Sequence, residues 1–356
     1  MNRGSSNGVN GLSAYQIDPN TGALSAIIGS PFTTGANPFS VAVDRAGKFA
    51  YVVNSGSSDG VNGLSAYQID PNTGALSAII ASESTTGNNP RSVAVSPNGK
   101  FAYVANFAST TGVHGLSAYT INQTTGALSA IIVSESTTGS QPQSVAVDPN
   151  GKFAYVANYG STIGVNGLSA YTINPNTGAL SAIIGSESTT GSRPISVAVS
   201  PNGQFAYVAN FASTTGVNGL FAYTINQTTG ALSAIIVSES TTGSQPRSVT
   251  VDPNGKFVYV VNSGSTTGVN GLSAYTINTN TGALTALSGS ASTTGDGPIS
   301  VRVDPTGKFA YVANFDSDGL SAYTINPNTG ALSALSGPPF TAGDGPNSII
   351  TVRILQ

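Results

Sequence analysis

The chain is built from near-copies of one unit of about fifty residues. The pentapeptide Gly-Leu-Ser-Ala-Tyr and its one variant place leucine at positions 12, 64, 116, 168, 220, 272 and 320. These positions are 52 residues apart five times and then 48 residues apart, because the last loop is shorter. A fixed period of this length is typical of solenoids and propellers, in which each unit buries its apolar face against its neighbours.

Each unit contains four short apolar runs separated by turn residues, such as 40–43, 49–54, 64–69 and 75–80. The turns read Asp-Pro-Asn-Gly in copies such as 148–151, where proline and glycine favour a tight turn. No run has helical periodicity. Four antiparallel strands in each repeat predict a propeller blade, whereas a β-solenoid, the alternative, would have repeats of about 20–30 residues. We therefore predict an all-β, seven-bladed β-propeller with four antiparallel strands per blade.

The repeats also predict how the ring closes. We expect one domain over 1–356, with blades that start near 38, 90, 142, 194, 246 and 298 and a closing blade made of 346–356 plus 1–37. Inner strands are predicted seven times, the last of them at 348–354, and third and fourth strands also occur seven times. Full second strands occur only six times, so the closing blade should lack a complete second strand. A truncated sequence or a partial strand would explain the gap, and so would a strand from a neighbouring molecule. We expect that strand exchange to involve Met1, Asn2, Arg3, Ser348, Ile349, Ile350, Thr351, Val352, Arg353 and Ile354.

The composition excludes several functional classes. Only 8% of the residues are charged, against roughly 25% in a typical soluble protein, and the 12 Lys plus Arg are spread along the chain. Nucleic-acid binding, which needs a basic face, is not expected. The absence of cysteine excludes disulfides and cysteine-based zinc sites. No apolar run approaches the roughly 18 residues of a membrane helix, so we expect no membrane span.

The same composition predicts where the protein acts. Abundant Ser, Thr, Asn and Gly with little charge resemble the composition of bacterial surface and secreted β-proteins. The start of the chain has no apolar signal-peptide core. We therefore predict an extracellular or cell-surface bacterial protein whose signal peptide is not present in this sequence.

Two recurring segments carry a family resemblance. Phe-Ala-Tyr-Val-Ala-Asn at 101–106, 153–158, 205–210 and 309–314 resembles the signature strand of the YVTN β-propeller repeats. The segment 144–152, Ser-Val-Ala-Val-Asp-Pro-Asn-Gly-Lys, is similar to that family's inner strand and turn. The family includes lactonase-like proteins related to 6-phosphogluconolactonase, and also bacterial and archaeal surface-layer proteins. The resemblance implies the propeller fold, and it matches no family catalytic residue to a position in this chain.

Residues that carry chemistry are few. The only histidine, His114, stands where the other long loops have asparagine, which favours neutral variation over catalysis. The segment 316–319, Asp-Ser-Asp-Gly, resembles part of a calcium loop but lacks its remaining acidic ligands. We therefore expect no metal and no cofactor. Four glutamates recur in identical surroundings, typical of solvated loops, at Glu83, Glu135, Glu187 and Glu239.

The most informative position is the one at which the copies differ. It follows the loop proline at the start of each inner strand, so we predict that it lies at the mouth of the central channel. Two arginines there could hold a carboxylate or phosphate of a glycan or small-molecule ligand, although relaxed selection at a solvent-facing position would also give such variation. The seven residues are Phe39, Arg91, Gln143, Ile195, Arg247, Ile299 and Asn347.

These features lead to a functional hypothesis and an alternative. Near-identical blades offer little of the asymmetry that an active site needs. The uncharged outer strands, such as 75–80, also lack the lysine or proline that usually protects an edge. We therefore predict a non-enzymatic extracellular scaffold for binding or self-assembly, one that self-associates and polymerises into a fibre by strand donation into the closing blade. The alternative is a lactonase-like enzyme that hydrolyses a sugar lactone at the channel mouth.

Overall fold

The computed structural model describes most of the chain as strands and turns. Within the described ranges the protein is all-β, and none of them supplies an apolar helix of membrane-spanning length. The described residues are 11–56, 63–79, 84–85, 87–107, 115–131, 136–137, 139–160, 167–184, 193–211, 219–235, 240–241, 243–264, 271–287, 294–335 and 340–353.

The described residues form six antiparallel sheets, each of which is one blade with four main strands, and four of these sheets include a fifth, two-residue strand. We number them along the chain from the first blade (38–78) to the sixth (298–334), and we call 11–33 together with 346–353 the closing blade. The inner strands are Pro38–Val43, Pro90–Val95, Pro142–Val147, Pro194–Val199, Ser244–Val251 and Pro298–Val303. The second strands are Phe49–Asn54, Phe101–Asn106, Phe153–Asn158, Phe205–Asn210, Phe257–Gly264 and Phe309–Asn314.

The fourth strand of each blade is shorter and more exposed than the other three. The third strands are Gly63–Ile69, Gly115–Ile121, Leu168–Ile173, Gly219–Ile225, Gly271–Ile277 and Gly319–Ile325. The fourth strands are shorter than the sequence predicts: Leu76–Ala78, Leu128–Ala130, Leu180–Ala182, Leu232–Ala234, Leu284–Ala286 and Leu332–Ala334. Two-residue strands that the sequence does not predict pair with the starts of third strands at Ser84–Thr85, Ser136–Thr137, Ser240–Thr241 and Phe340–Thr341.

The core lies between blades rather than within them. Apolar residues of the six second strands are at most 5% exposed, because a neighbouring blade or the closing segments cover each face of the sheet. In the first interface, Tyr51 and Val53 of one blade pack with Val93 and Val104 of the next. This packing explains why the second strands read as continuous apolar runs rather than as alternating patterns.

A tyrosine hydroxyl ties each blade to the following one. The tyrosine in the middle of each second strand donates a hydrogen bond to the carbonyl oxygen of a turn glycine in the next blade, over 2.8–3.1 Å. Tyr311 makes this bond to Gly22, which joins the sixth blade to the closing blade. The donor–acceptor pairs are Tyr51–Gly126, Tyr103–Gly178, Tyr155–Gly230, Tyr207–Gly282, Tyr259–Gly330 and Tyr311–Gly22.

The closing blade differs from the other six. Gly11–Leu12 pairs with Phe32–Thr33, and Tyr15–Ile17 pairs with Leu24–Ala26. The segment 347–353 lies at the inner position, where the Ile349 N–H donates to Ser300 Oγ at 3.3 Å as the inner strands do elsewhere, but it is not a strand. The prediction of an inner strand over 348–354 is therefore wrong for 348–353, because a strand needs a ladder partner and no described residue supplies one.

Six complete blades and a partial one are thus observed in the described part of the chain, where the sequence predicts seven with an incomplete last blade. Of the residues predicted to exchange strands, Met1, Asn2, Arg3 and Ile354 lie outside the described residues.

Candidate functional site

The start of each inner strand has an unusual backbone. The residue before the loop proline is left-handed, with φ of 50° at Asn37 and 57° at Arg193. In the strand ladder, Pro38 lies opposite Asn54 and Ser40 opposite Val53, so Phe39 is an extra, bulged residue. The same register shift occurs at the start of the other five inner strands. A β-bulge re-aims the side chain of its extra residue, and here that residue is the one that varies between copies.

The six bulged residues and Asn347 surround one cavity of about 260 Å³ at the channel mouth. The serine that follows each of them also lines the cavity, so small hydroxyl groups alternate with the variable side chains. The structure therefore places all seven variable residues in one site, while their role in binding a ligand stays a prediction. They are Phe39, Arg91, Gln143, Ile195, Arg247, Ile299 and Asn347.

The two arginines of the mouth lie against aromatic rings. The Arg91 guanidinium is 4.3 Å from the centroid of the Phe39 ring and 4.9 Å from that of Phe107. The Arg247 guanidinium is 4.2 Å from the Phe211 ring centroid, and its Nε donates to Ser263 Oγ at 2.8 Å. Such contacts hold a guanidinium plane in place while its charge stays able to attract an anion.

An arc of aromatic residues borders the mouth, and the sequence reasoning missed it. The rings of Phe107 and Tyr159 are 6.3 Å apart, and those of Tyr159 and Phe211 are 6.1 Å apart. The Arg193 guanidinium lies 5.6 Å from the Tyr159 ring centroid. These aromatic residues directly follow the second strands, at a position that reads Ser, Phe, Tyr, Phe, Ser and Phe in successive copies. A comparison of the copies at this position would have found these aromatic residues.

The shortened loop brings a carboxylate near this arc. Burial lowers the pKa of the Arg247 guanidinium, and the charges of Tyr159 and Asp316 oppose that shift. Asp316 is exposed and its backbone N–H donates to Asp296 O at 3.2 Å. Asp318 Oδ1 instead accepts the Gly345 N–H at 2.8 Å, which engages it in loop structure. Asp316 is therefore an exposed carboxylate whose charge acts on the Arg247 guanidinium.

Arg302 is a second residue that the sequence reasoning missed. It occupies an inner-strand position that is alanine in the first four blades and threonine in the fifth. Its Nη1 donates to Val301 O at 2.8 Å, and burial lowers the pKa of its guanidinium. The difference between copies would have singled out this position too.

The remaining candidates contribute no observed site. His114 and the four recurring glutamates lie outside the described residues. Within the described ranges, no group of three or more His, Cys, Asp or Glu side chains is arranged to hold a metal ion.

The fold and the mouth together define a β-propeller with an asymmetric cavity at one end of its channel. The model of the family described as lactonase, 7-bladed beta-propeller matches residues 3–114, 108–217, 211–292 and 265–345. The chain therefore belongs to this lactonase family.

Two curated relatives are similar over most of the chain. The 6-phosphogluconolactonase of Bacillus subtilis (strain 168) is 27% identical over 317 residues, which cover 86% of this chain and 85% of that protein. The 6-phosphogluconolactonase of Formosa agariphila is 27% identical over 266 residues, or 70% of each.

Solved structures agree on the fold. A putative 6-phosphogluconolactonase from Bacteroides uniformis superposes with a TM-score of 0.78 at 21% identity, over 98% of this chain and 96% of that one. The periplasmic gluconolactonase of Pseudomonas aeruginosa superposes with a TM-score of 0.75 at 21% identity, over 96% and 95%.

These findings correct the functional hypothesis. The prediction of a non-enzymatic, self-assembling structural protein that forms filaments is wrong, because the chain belongs to a lactonase family and its curated relatives are enzymes by name. The near-identity of the blades misled that reasoning, since the asymmetry lies in single side chains at bulges and strand ends. The findings favour the alternative, a lactonase-like hydrolase.

Proposed function

We propose that this protein hydrolyses the ester bond of a sugar lactone at the mouth of the channel. The observation that carries the proposal is the match of the lactonase family model along the chain, together with relatives named 6-phosphogluconolactonase over 86% and 70% of it. The mouth cavity is the candidate active site, because serine hydroxyls, two arginines and two side-chain amides converge on it beside only three apolar side chains.

The side chains of the mouth suit an anionic sugar. Arg91 would hold the phosphate or carboxylate of the sugar by charge-assisted hydrogen bonds. The faces of Phe107, Tyr159 and Phe211 offer apolar surface to the C–H groups of a sugar ring. Each arginine is already oriented by an aromatic ring or a hydroxyl, so little conformational entropy is lost when the substrate binds.

The reaction itself needs few groups. A water molecule attacks the lactone carbonyl carbon and loses a proton, the bond between that carbon and the ring oxygen breaks, and the ring oxygen takes up a proton. The product is an open-chain hydroxy acid, which ionises at neutral pH. We assign Asp316 as the acceptor of the proton from water and Arg247 as a donor that stabilises the developing oxyanion.

The test is hydrolysis of a lactone panel that includes gluconolactone and its 6-phospho derivative, with spontaneous hydrolysis subtracted. Replacing Arg91 or Arg247 by Met should lower kcat/KM for the phosphorylated lactone by roughly 10- to 100-fold, since a hydrogen bond to a charged group contributes about 1.5–3 kcal/mol. Arg45→Met, at an exposed turn, is the matched control and should leave kcat/KM unchanged. Rates equal to spontaneous hydrolysis for every lactone would refute the proposal.

Two finer predictions belong to this proposal. An extracellular or cell-surface location in a bacterium is proposed from the low charge of the chain and its abundant Ser, Thr, Asn and Gly. The resemblance to YVTN repeats rests on the recurring Phe-Ala-Tyr-Val-Ala-Asn strands. A glycan or other small molecule remains the predicted class of ligand.

A further inference from the structure

Six serines form a ring of hydroxyl groups at the channel mouth. Each of them follows the variable residue of an inner strand and lines the mouth cavity. Its Oγ accepts a backbone N–H from the inner position of the next blade, over 3.2–3.4 Å. We call these residues the serine ring: Ser40, Ser92, Ser144, Ser196, Ser248 and Ser300.

The serine ring supplies hydrogen-bond donors that no described residue uses. A serine hydroxyl accepts hydrogen bonds through its oxygen and donates one through its O–H. In all six serines the oxygen accepts a backbone N–H, and within the described ranges none of the six O–H groups donates to the protein. Since the serines line the cavity, their O–H groups can turn into it. The cavity therefore favours a ligand that accepts several hydrogen bonds at once.

Arg302 places a positive charge beside the serine ring. The Val301 N–H donates to Ser248 Oγ at 3.4 Å, and Val301 O accepts Arg302 Nη1 at 2.8 Å. The N–H and the C=O of one strand residue point to the same side of the strand, and those of Val301 point away from the second strand and into the channel. The guanidinium therefore lies on the channel side of the sixth blade.

No described carboxylate balances this charge. Among the described residues, the Arg302 side chain donates only to Val301 O, and burial alone lowers the pKa of its guanidinium. Arg247 differs, because the charge of Asp316 opposes the same shift there. Asp304, two residues further along the strand, accepts backbone N–H groups of its own turn. A buried charge without a partner is costly, so the structure favours an anion at this point of the channel.

The channel has room for an anion at this level. The position of Arg302 is alanine in the first four blades, at Ala42, Ala94, Ala146 and Ala198. The last three of these alanines are only half-buried, although they lie in the middle of inner strands. The side of the channel across from Arg302 is therefore open.

We propose that the serine ring and Arg302 form an oxyanion-binding site in the channel, inward of Arg91 and Arg247. Its ligand is a tetrahedral oxyanion such as phosphate, whose oxygens accept hydrogen bonds from several blades at once. Hydrogen bonds between ionised groups are stronger than neutral ones, which gives Arg302 the largest share of the affinity. The site takes free phosphate or the phosphate group of a sugar acid, and binding itself does not depend on the lactonase activity proposed above.

The first experiment is isothermal titration calorimetry of the whole protein with inorganic phosphate at low ionic strength. The unchanged protein should bind one phosphate, with chloride as the reference anion that does not replace it. Arg302→Ala introduces the residue of the first four blades and should weaken binding at least ~10-fold, because a charged donor is lost. Ser144→Ala should weaken it about 3- to 10-fold, since one neutral donor is lost. Arg45→Met, at an exposed turn, is the control and should bind phosphate like the unchanged protein.

Urea unfolding separates a lost ligand contact from a folding defect. Without phosphate, Arg302→Ala should unfold at a higher urea concentration than the unchanged protein, because a buried charge without a carboxylate partner is removed. Phosphate should raise the urea midpoint of the unchanged protein but not that of Arg302→Ala, as expected for a ligand that binds only the folded state. If Arg302→Ala does not fold, Arg302→Lys keeps the charge without the planar fork and should bind phosphate about 3- to 10-fold more weakly.

Competition distinguishes the two sources of phosphate. If the ligand is sugar-linked, 6-phosphogluconate should displace inorganic phosphate, gluconate should not, and Arg302→Ala should weaken the binding of 6-phosphogluconate. Arg91 is then left to hold the carboxylate of the same molecule. If 6-phosphogluconate does not displace inorganic phosphate, the site takes the free ion.

Three results would overturn the proposal. The first is that neither inorganic phosphate nor 6-phosphogluconate binds, and the second is that Arg302→Ala binds phosphate as tightly as the unchanged protein. The third is a greater loss of phosphate binding in Arg91→Met than in Arg302→Ala, which would place the phosphate at the rim. Lactone hydrolysis without phosphate binding would overturn this proposal and leave the proposed function intact, whereas phosphate binding without hydrolysis would support this proposal and refute that function.

Discussion

The tyrosine hydroxyl that links consecutive blades gives a direct test of what stabilises the ring. Tyr155 is fully buried, and its hydroxyl donates to the Gly230 carbonyl oxygen at 3.0 Å. Tyr155→Phe keeps the aromatic ring and its packing but removes the hydroxyl donor. Because Gly230 is itself buried, its carbonyl oxygen would lose the partner without gaining access to water. A buried polar group left without a partner costs about 1–3 kcal/mol, so the free energy of unfolding should fall by that amount.

The assay is urea unfolding followed by circular dichroism, with the midpoint and the slope fitted separately. The slope should stay constant and the midpoint should fall, which indicates a change in stability rather than in the surface exposed on unfolding. Tyr159→Phe, at a half-buried tyrosine of the channel mouth, is the matched control and should change the free energy of unfolding by less than about 0.5 kcal/mol. If Tyr155→Phe unfolds at the same urea concentration as the unchanged protein, the hydroxyl makes no net contribution and the reasoning is refuted.

Three further predictions follow from the same structure. Gly230→Ala should lower the free energy of unfolding in urea more than Gly151→Ala does. Both glycines have φ near 70°, but an added Cβ would be 2.3 Å from Phe153 at Gly230 and 3.5 Å from Pro97 at Gly151. Equal losses of free energy of unfolding would contradict this account. Burial raises the pKa of the Tyr119 and Tyr275 phenols to about 12, against about 10 in an unfolded chain. Their contribution to stability is therefore intact below pH ~10 and lost as the pH rises from about 10 to 12, so phenolate absorbance and loss of circular dichroism should appear together in an alkaline titration. Asp316→Asn should lower kcat on the phosphorylated lactone by at least ~100-fold with little change in substrate binding, as expected for loss of a general base. Asp296→Asn, at the neighbouring exposed carboxylate, is the control and should leave kcat unchanged. A normal kcat in Asp316→Asn would refute the assignment of Asp316 as the general base.

The strand pattern of the complete blades could be read from the sequence because it is local. A run such as 49–53 is apolar throughout and is bounded by polar and turn residues, so its conformation and burial follow from its own composition. The outer strand was overestimated, since in the described part of 75–80 only Leu76–Ala78 belongs to the strand ladder. Composition indicates which residues favour a strand, whereas the neighbouring strand decides how many of them form one.

Part of the candidate site could be predicted from the sequence. Comparing the copies was enough to find Phe39, Arg91 and Arg247, because variation against a repeated background is visible in sequence alone. The bulges that aim these residues at the mouth, and the stacking of Arg91 between the Phe39 and Phe107 rings, depend on blades that meet only after the chain has folded.

By itself the sequence determined the repeat, the all-β class and the positions of the variable residues, because a 52-residue period and short-range apolar patterns are properties of the linear chain. The tertiary structure decided which variable residues share a cavity, and it decided which segments of the closing blade form strands. In that blade, 348–353 has an apolar pattern that favours a strand but no described neighbour with which to pair, so it lies at the inner position without forming one. A segment forms a strand only when a neighbouring segment pairs with it, and that pairing depends on the tertiary structure.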